Sequence, residues 1–160
     1  MSKFSSPFVY ELALVAHGTP AYDALVALRY EVLRRPLGLA FTPEQLAAES
    51  GSFHLACCCE GVLAGGLVLL PLPESRMQMR QVAVREDWRG KGAGRALVEY
   101  AEEWARQAGA NVMMLHARES AVGFYETLGY QKRGARFWEV GLAHWEMTKT
   151  LRGDGQSGGA

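Results

Sequence analysis

The chain has 160 residues, of which 49% are hydrophobic and 21% charged, with 17 basic and 17 acidic side chains. That length suits one domain with a real core, and a formal net charge of zero argues against an electrostatic grip on bulk nucleic acid. No apolar run reaches the length of a membrane span, and the segment from Met1 to Pro7 lacks the apolar centre of a signal peptide, so a cytoplasmic protein without a membrane partner is expected.

In chain order, residues 8–16 read as a first strand. Thr19 caps a helix with Pro20 at its first position, expected to run to about Arg34 with Leu25, Leu28 and Val32 on its apolar side. Residues 36–39 form a turn. Thr42 and Pro43 start a second, short helix by the same device, ending before Gly51. Residues 54–60 and 62–70, joined at Gly61, pattern as a hairpin. Its first strand carries Cys57, Cys58 and Cys59. Neighbours on a strand point to opposite faces, so the three cannot all bind one ion. The chain has no C-x-x-C pair and no zinc spacing. The cysteines read as small residues packed in a reduced sheet, and no metal site is expected.

Residues 77–84 read as a fourth strand, followed by a long amphipathic helix over 92–107 closed by Gly109. A fifth strand (111–116) leads to a short helix over 120–128. Ser120 is placed to cap it, and Gly129 stands where a left-handed C-cap wants glycine. Residues 130–139 and 144–150 look like a final hairpin, and 153–160 read as a flexible tail. The expectation is one domain over 1–152 with the order β-α-α-β-β-β-α-β-α-β-β.

The most informative stretch joins the fourth strand to the long helix. Glycines at such a junction leave backbone N–H groups uncovered, and the first helical turn has N–H groups with no internal partner. The helix dipole adds partial positive charge there. Together these features seat a phosphate or diphosphate. Spacing separates the candidates. A P-loop needs Ser or Thr after Gly-Lys, whereas Gly92 follows Gly90-Lys91. A dinucleotide fingerprint needs G-x-G-x-x-G and an acidic residue ending the next strand, whereas the spacing is G-x-G-x-G and that strand ends in His116-Ala117-Arg118.

The stretch Arg89-Gly90-Lys91-Gly92-Ala93-Gly94 fits instead the pattern Arg/Gln-x-x-Gly-x-Gly/Ala, the diphosphate loop of the GNAT acetyltransferase superfamily. A second segment, Ser120 to Tyr130 with Phe124-Tyr125 and Leu128-Gly129-Tyr130, resembles the short helix that follows the fifth strand in that family. Two motifs in the right order are much harder to obtain by chance than either alone. The resemblance spans roughly residues 53–151. It implies an α/β (α+β) fold: a mixed, mostly antiparallel sheet of about seven strands with about four helices, splayed between strands 4 and 5.

The same resemblance implies an N-acetyltransferase that uses acetyl-CoA as co-substrate and an amine as acceptor. Val82, Ala83 and Val84 inherit the strand along which the pantetheine arm lies. The amides of residues 89–94 (Arg89, Gly90, Lys91, Gly92, Ala93, Gly94) take the diphosphate, with the Arg89, Lys91 and Arg95 side chains adding charge. Arg118 stands where Asn or Gln is common, and Phe124 is a contact to the pantetheine or the core. Tyr125 is the candidate general acid, since a phenol can donate to a departing thiolate. The last hairpin, with Phe137, Glu139, Gly141, His144 and Met147, resembles a branch carrying Phe-x-Glu and Gly-Ile-Pro-His-x-x-Met, with Ala143 in place of proline. Glu139 and His144 are therefore candidates to take a proton from the acceptor ammonium.

Acceptor choice is expected to rest on Arg29, Tyr30, Glu31, Arg34 and Arg35, with Trp138 and Trp145 from the last hairpin. A small-molecule amine is the first expectation. A protein or peptide amine, or a module that binds acyl-CoA without turnover, are the alternatives. The fold is also compatible with a homodimer.

Overall fold

The computed structural model describes residues 7–152; the tail expected at 153–160 lies outside them. Seven strands hydrogen-bond in one order: β1 (Glu11–Val15), β2 (Phe53–Cys59), β3 (Val62–Leu72), β4 (Arg76–Val84), β5 (Val112–Arg118), β7 (Leu142–Thr150) and β6 (Gln131–Glu139). β1–β2, β2–β3, β5–β7 and β6–β7 are antiparallel, and β4–β5 is parallel. Four α-helices accompany them: α1 (Pro20–Arg29), α2 (Pro43–Ala47), α3 (Ala93–Gln107) and α4 (Val122–Thr127). This is the mixed, open sheet and helix order expected.

The chain divides into two compact units. The first takes the described residues through Leu70 together with Gln81–Ala101; the second takes Pro71–Arg80 and the described residues from Glu102 onward. The first unit buries Tyr22, Leu25 and Leu28 of α1, Leu55 and Cys57 of β2, Leu67 and Leu69 of β3, and Leu97 and Val98 of α3. Gly66 is required there, because a Cβ at that position would lie 2.4 Å from Leu25 Cδ2 and 2.9 Å from the Leu55 carbonyl. Burial pushes the Cys57 thiol up to about 12, so it stays a thiol at neutral pH and behaves as a small hydrophobe.

Both proline-started helices form as read. The Thr19 hydroxyl accepts from the Tyr22 N–H at 3.2 Å. Thr42 and Gln45 make a reciprocal capping box, which satisfies two N–H groups that the helix itself cannot. The first helix ends earlier than expected: α-geometry stops at Arg29, and Tyr30–Arg34 form a π turn closed by the Arg35 N–H on the Tyr30 carbonyl. Pro36 accounts for part of this. It has no N–H to give the ladder.

Arg29 was among the residues expected to set acceptor choice, but the structure commits it elsewhere. It is 1% exposed, and both terminal nitrogens of its guanidinium bond the Glu49 carboxylate. The Tyr22 hydroxyl donates to the same carboxylate at 2.7 Å, and the His54 Nε2 meets the Glu49 carbonyl at 3.1 Å. Burial alone would raise the Glu49 carboxyl, yet the Arg29 and Tyr22 hydrogen bonds bring it below its ordinary value. Tyr22 is pushed up to about 12, by burial first and then by Glu49.

The second unit packs Met77, Met79, Ala105, Met113, Leu115, Tyr125, Tyr130 and Met147. At its centre Glu102, 4% exposed, accepts from the Tyr130 hydroxyl at 2.8 Å and from Lys149 Nζ at 2.9 Å. Lys149 also bonds the Leu128 carbonyl at 2.7 Å, closing the end of α4. Gly129 is left-handed as expected (φ +98°), and its missing Cβ makes room for the Lys149 stem, 3.3 Å from where that atom would stand. Ser120 does not cap α4. A 3-10 turn over Glu119–Ala121 precedes the helix, and Ala121 occupies the cap position without a side-chain bond.

Candidate active site

The first unit carries the loop. β4 pairs with β5 only from Arg76 to Met79, although both strands continue beyond. Gln81 then adopts φ +55°, a left-handed conformation rare for a residue inside a strand, and it marks the point past which the ladder has ended. Among the described residues, the backbone of Val82, Ala83 and Val84 has no β5 partner. β3 holds this end of β4 from the other edge, through the Arg85 N–H on the Ala64 carbonyl at 2.8 Å. The approach is close enough to need Gly65, whose Cβ would stand 2.8 Å from the Ala83 carbonyl and 2.9 Å from Leu97 Cδ1. The result is a strand edge with amides and carbonyls to offer an extended, amide-bearing arm.

A 3-10 turn over Glu86–Trp88 leads from β4 into the loop. Gly90 (φ +76°) and Gly92 (φ +92°) are both left-handed. Left-handed residues are where a turn can swing successive N–H groups toward an anion. A Cβ on Gly90 would meet nothing within 4 Å, so the loop surface is open there. The Ala96 N–H bonds the Gly92 carbonyl at 3.0 Å. The N–H groups ahead of it in the first turn of α3 have no intrahelical acceptor. These residues fit a diphosphate carried by an amide-bearing arm.

The three basic side chains differ in placement. Arg95 pairs with Glu99 at 3.1 Å. Lys91 Nζ lies 5.1 Å from the Trp88 ring centroid and 5.8 Å from that of Phe8, while the Tyr10 hydroxyl donates to the Lys91 carbonyl. Arg89 lines a cleft of about 780 Å³ together with Arg85, Glu86, Asp87 and, from the π turn, Glu31 and Val32. Glu31 is bridged to Arg35 at 2.9 Å. Arg34 stacks on Phe41, 4.5 Å from the ring centroid.

The second unit carries the acid and base candidates. Tyr125 on α4 is 7% exposed and stacks edge-on against Phe124 and Tyr130, at 5.0 and 5.7 Å between centroids. Burial raises its hydroxyl well above the ordinary phenol value, so it holds its proton at neutral pH. Among the described residues, that hydroxyl makes no hydrogen bond. Phe124 is exposed beside it.

Glu139 and His144 come together across the β6–β7 turn. His144, 5% exposed, has its Nδ1 at 2.9 Å from the Leu142 carbonyl. A carbonyl only accepts, so Nδ1 carries the hydrogen, which in the neutral imidazole leaves the lone pair on Nε2. That Nε2 is 3.7 Å from Glu139 Oε1. The turn between them, Val140-Gly141, has φ +45° and +76°, the pattern of a two-residue type I′ hairpin. Val140 is a β-branched residue held where such residues are strained.

Arg118 is the backbone partner of His144 across β5–β7. Trp145 donates to Glu119 at 3.3 Å, and Trp138 is 68% exposed.

One residue absent from the sequence expectations joins this group. His116 Nδ1 lies 2.9 Å from Glu139 Oε2, and the Phe137 ring packs against His116 and His144 at 5.0 and 5.9 Å between centroids. Strand alternation puts His116 on the same face as Arg118, which was a usable signal. The register joining them to β6 is long-range and passes a bulge between Arg133 and Phe137, which local pattern does not reveal. Among the described residues, no three His, Cys, Asp or Glu side chains are arranged to hold a metal ion.

Comparison with known proteins agrees with this architecture. Residues 20–130 match the model of the acetyltransferase (GNAT) family. The chain is 28% identical over 132 residues to the uncharacterized N-acetyltransferase YitI of Bacillus subtilis, covering 78% of this chain and 89% of that protein. It is 32% identical over 101 residues to human N-acetyltransferase 8B, of which it spans 44%. Among solved structures, a Lactobacillus plantarum protein named as an N-acetyltransferase superimposes with a TM-score of 0.78 at 28% identity, over 89% of this chain and 98% of that one. An aminoglycoside 6′-N-acetyltransferase complexed with coenzyme A shares the fold, with a TM-score of 0.75 at 18% identity over 89% and 98% of the two chains. The chain belongs to the acetyltransferase (GNAT) family and is an acyl-CoA-dependent N-acyltransferase.

Proposed function

We propose that the protein moves an acetyl group from acetyl-CoA to the primary amine of a small molecule by direct attack. The observation that carries this reading is the pairing of Glu139 with His144. A bare imidazole nitrogen and a carboxylate oxygen stand 3.7 Å apart, too far to bond each other and spaced to receive the hydrogens of one ammonium or water. His144 takes a proton, which makes the amine nucleophilic, and Glu139 balances the imidazolium. Tyr125 keeps a proton available for the thiolate that leaves.

Acetyl-CoA supplies an activated acyl group. The amides of residues 89–94 hold its diphosphate, and the backbone of Val82 to Val84 aligns its arm. The coenzyme A complex of the aminoglycoside acetyltransferase supports the choice of co-substrate. The cleft of about 780 Å³, lined by Glu31, Arg85, Glu86, Asp87 and Arg89, lies within the range of small-molecule sites.

The test is thiol release from acetyl-CoA across a panel of small amines, amino acids and lysine-bearing peptides. Turnover with a small amine at a rate well above hydrolysis supports the reading. Turnover confined to peptides shifts the acceptor class. Tight acetyl-CoA binding with hydrolysis alone would leave the acyl-CoA-binding module.

A further inference from the structure

The interaction between His116 and Glu139 has no part in the chemistry above, and it decides where the Glu139 carboxylate points. Glu139 ends β6 with its side chain 47% exposed. A glutamate in that setting gives up rotamer freedom when it is fixed. His116 Nδ1 at 2.9 Å from Oε2 supplies the restraint. A carboxylate only accepts, so Nδ1 carries the hydrogen.

Oε2 is thereby occupied, and Oε1 is the oxygen left toward His144 Nε2. The His116 ring is itself braced edge-on by Phe137, at 5.0 Å and 75°. The same Phe137 ring lies against His144, directly across the β6–β7 ladder. One aromatic side chain thus sets the positions of both imidazoles, and one carboxylate joins them.

We infer that His116 is a positioning residue for the base: it donates from Nδ1 to Glu139 Oε2 and so holds Oε1 against His144. This rests on the reading of Glu139 and His144 as the proton acceptor. His116 touches neither substrate. It acts through Glu139, and its loss leaves the base present but misaligned.

The experiment compares H116A and H116N with E139Q, H144A and the double variant H116A/E139Q. A hydrogen bond to a charged group is commonly worth enough to give H116A a loss of about tenfold in kcat, with the KM for acetyl-CoA unchanged. In H116N an amide N–H stands near the place of Nδ1–H and recovers most of that loss. The double variant is no slower than E139Q alone, because His116 acts only through the Glu139 carboxylate that E139Q removes.

Nitrogen-15 spectra of the wild type place the His116 proton on Nδ1, and in E139A, which leaves no side-chain acceptor there, that preference disappears. Wild-type kcat in H116A with E139Q and H144A impaired, losses that multiply in the double variant, or a His116 proton on Nε2 would each overturn the inference alone. Full turnover in E139Q and H144A would overturn the base assignment and this inference with it.

Discussion

His144 Nε2 faces Glu139 Oε1 across 3.7 Å, with the opposite edge of the imidazole anchored to the Leu142 carbonyl. The anchoring fixes the tautomer, and the gap is where a proton has to arrive. General-base removal commonly costs 10²–10⁴-fold, so H144A should lower kcat by about 100-fold while leaving acetyl-CoA binding by calorimetry intact. Equal kcat in H144A and the wild type would remove His144 from the mechanism.

Tyr125 offers a cleaner substitution. Its hydroxyl bonds no described protein group, so Tyr125→Phe keeps the packing against Phe124 and Tyr130. The melting temperature should stay close to the wild-type value. kcat should fall by about 100-fold, in line with loss of a general acid, most steeply with acceptors whose attack is fast. An unimpaired rate would show that the thiolate takes its proton from elsewhere.

The motif-bearing half of the fold was the more legible. Thr19, Thr42 and Gly129 announced their caps because the chemistry of a cap is local: one hydroxyl, one proline, one residue without Cβ. The left-handed turns at Gly90 and Gly92 were legible for the same reason. Ser120 misled, since a 3-10 turn over Glu119–Ala121 satisfies that end of α4 without a side chain. Arg29 misled because nothing in its neighbourhood in sequence reveals a carboxylate twenty residues away. His116 went unnoticed because its meaning depends on the β5–β7–β6 register, including a bulge, which is fixed by tertiary packing rather than by pattern.

The Arg29–Glu49 pair should be costly to break. Removing one partner of a buried pair strands the other and typically costs about 3–5 kcal/mol, so R29A should unfold at far lower urea concentration than the wild type. A midpoint within error of the wild type would contradict the burial described.

The same cluster sets an acid limit on stability. His54 is held below its ordinary value of 6.5, chiefly by burial. Glu49 is held below 4.5 by Arg29 and Tyr22 against its own burial. In both cases the unfolded chain binds the proton more readily. The His54 contribution is therefore complete above pH 6.5 and fades as pH falls below it. The Glu49 contribution persists down to about its ordinary value and fades at lower pH. Melting temperature should decline from pH 7.5 to 5.5, and H54Q should flatten that decline. A rise on acidification over this range would contradict the assignment.

Val140 holds φ +45° in the turn beside Glu139. Left-handed geometry costs an ordinary residue about 1–2 kcal/mol, and the side chain is 52% exposed, so little packing is lost on replacing it. V140G should raise stability by about 1 kcal/mol. Lower kcat in that variant would show that the strain holds Glu139 in place. A destabilised V140G would show that the valine makes contacts the turn needs.

In the proposed function the amides around Gly90 and Gly92 hold the diphosphate of acetyl-CoA. Calorimetric titration with acetyl-CoA and with S-acetylpantetheine, which lacks the diphosphate and the nucleotide beyond it, measures that hold in the wild type and in G92V. Acetyl-CoA should bind the wild type at least about 100-fold more tightly than the truncated thioester, a difference of about 2.7 kcal/mol, and G92V should erase most of that advantage. Equal affinity for the two ligands, or undiminished acetyl-CoA binding in G92V, would contradict it.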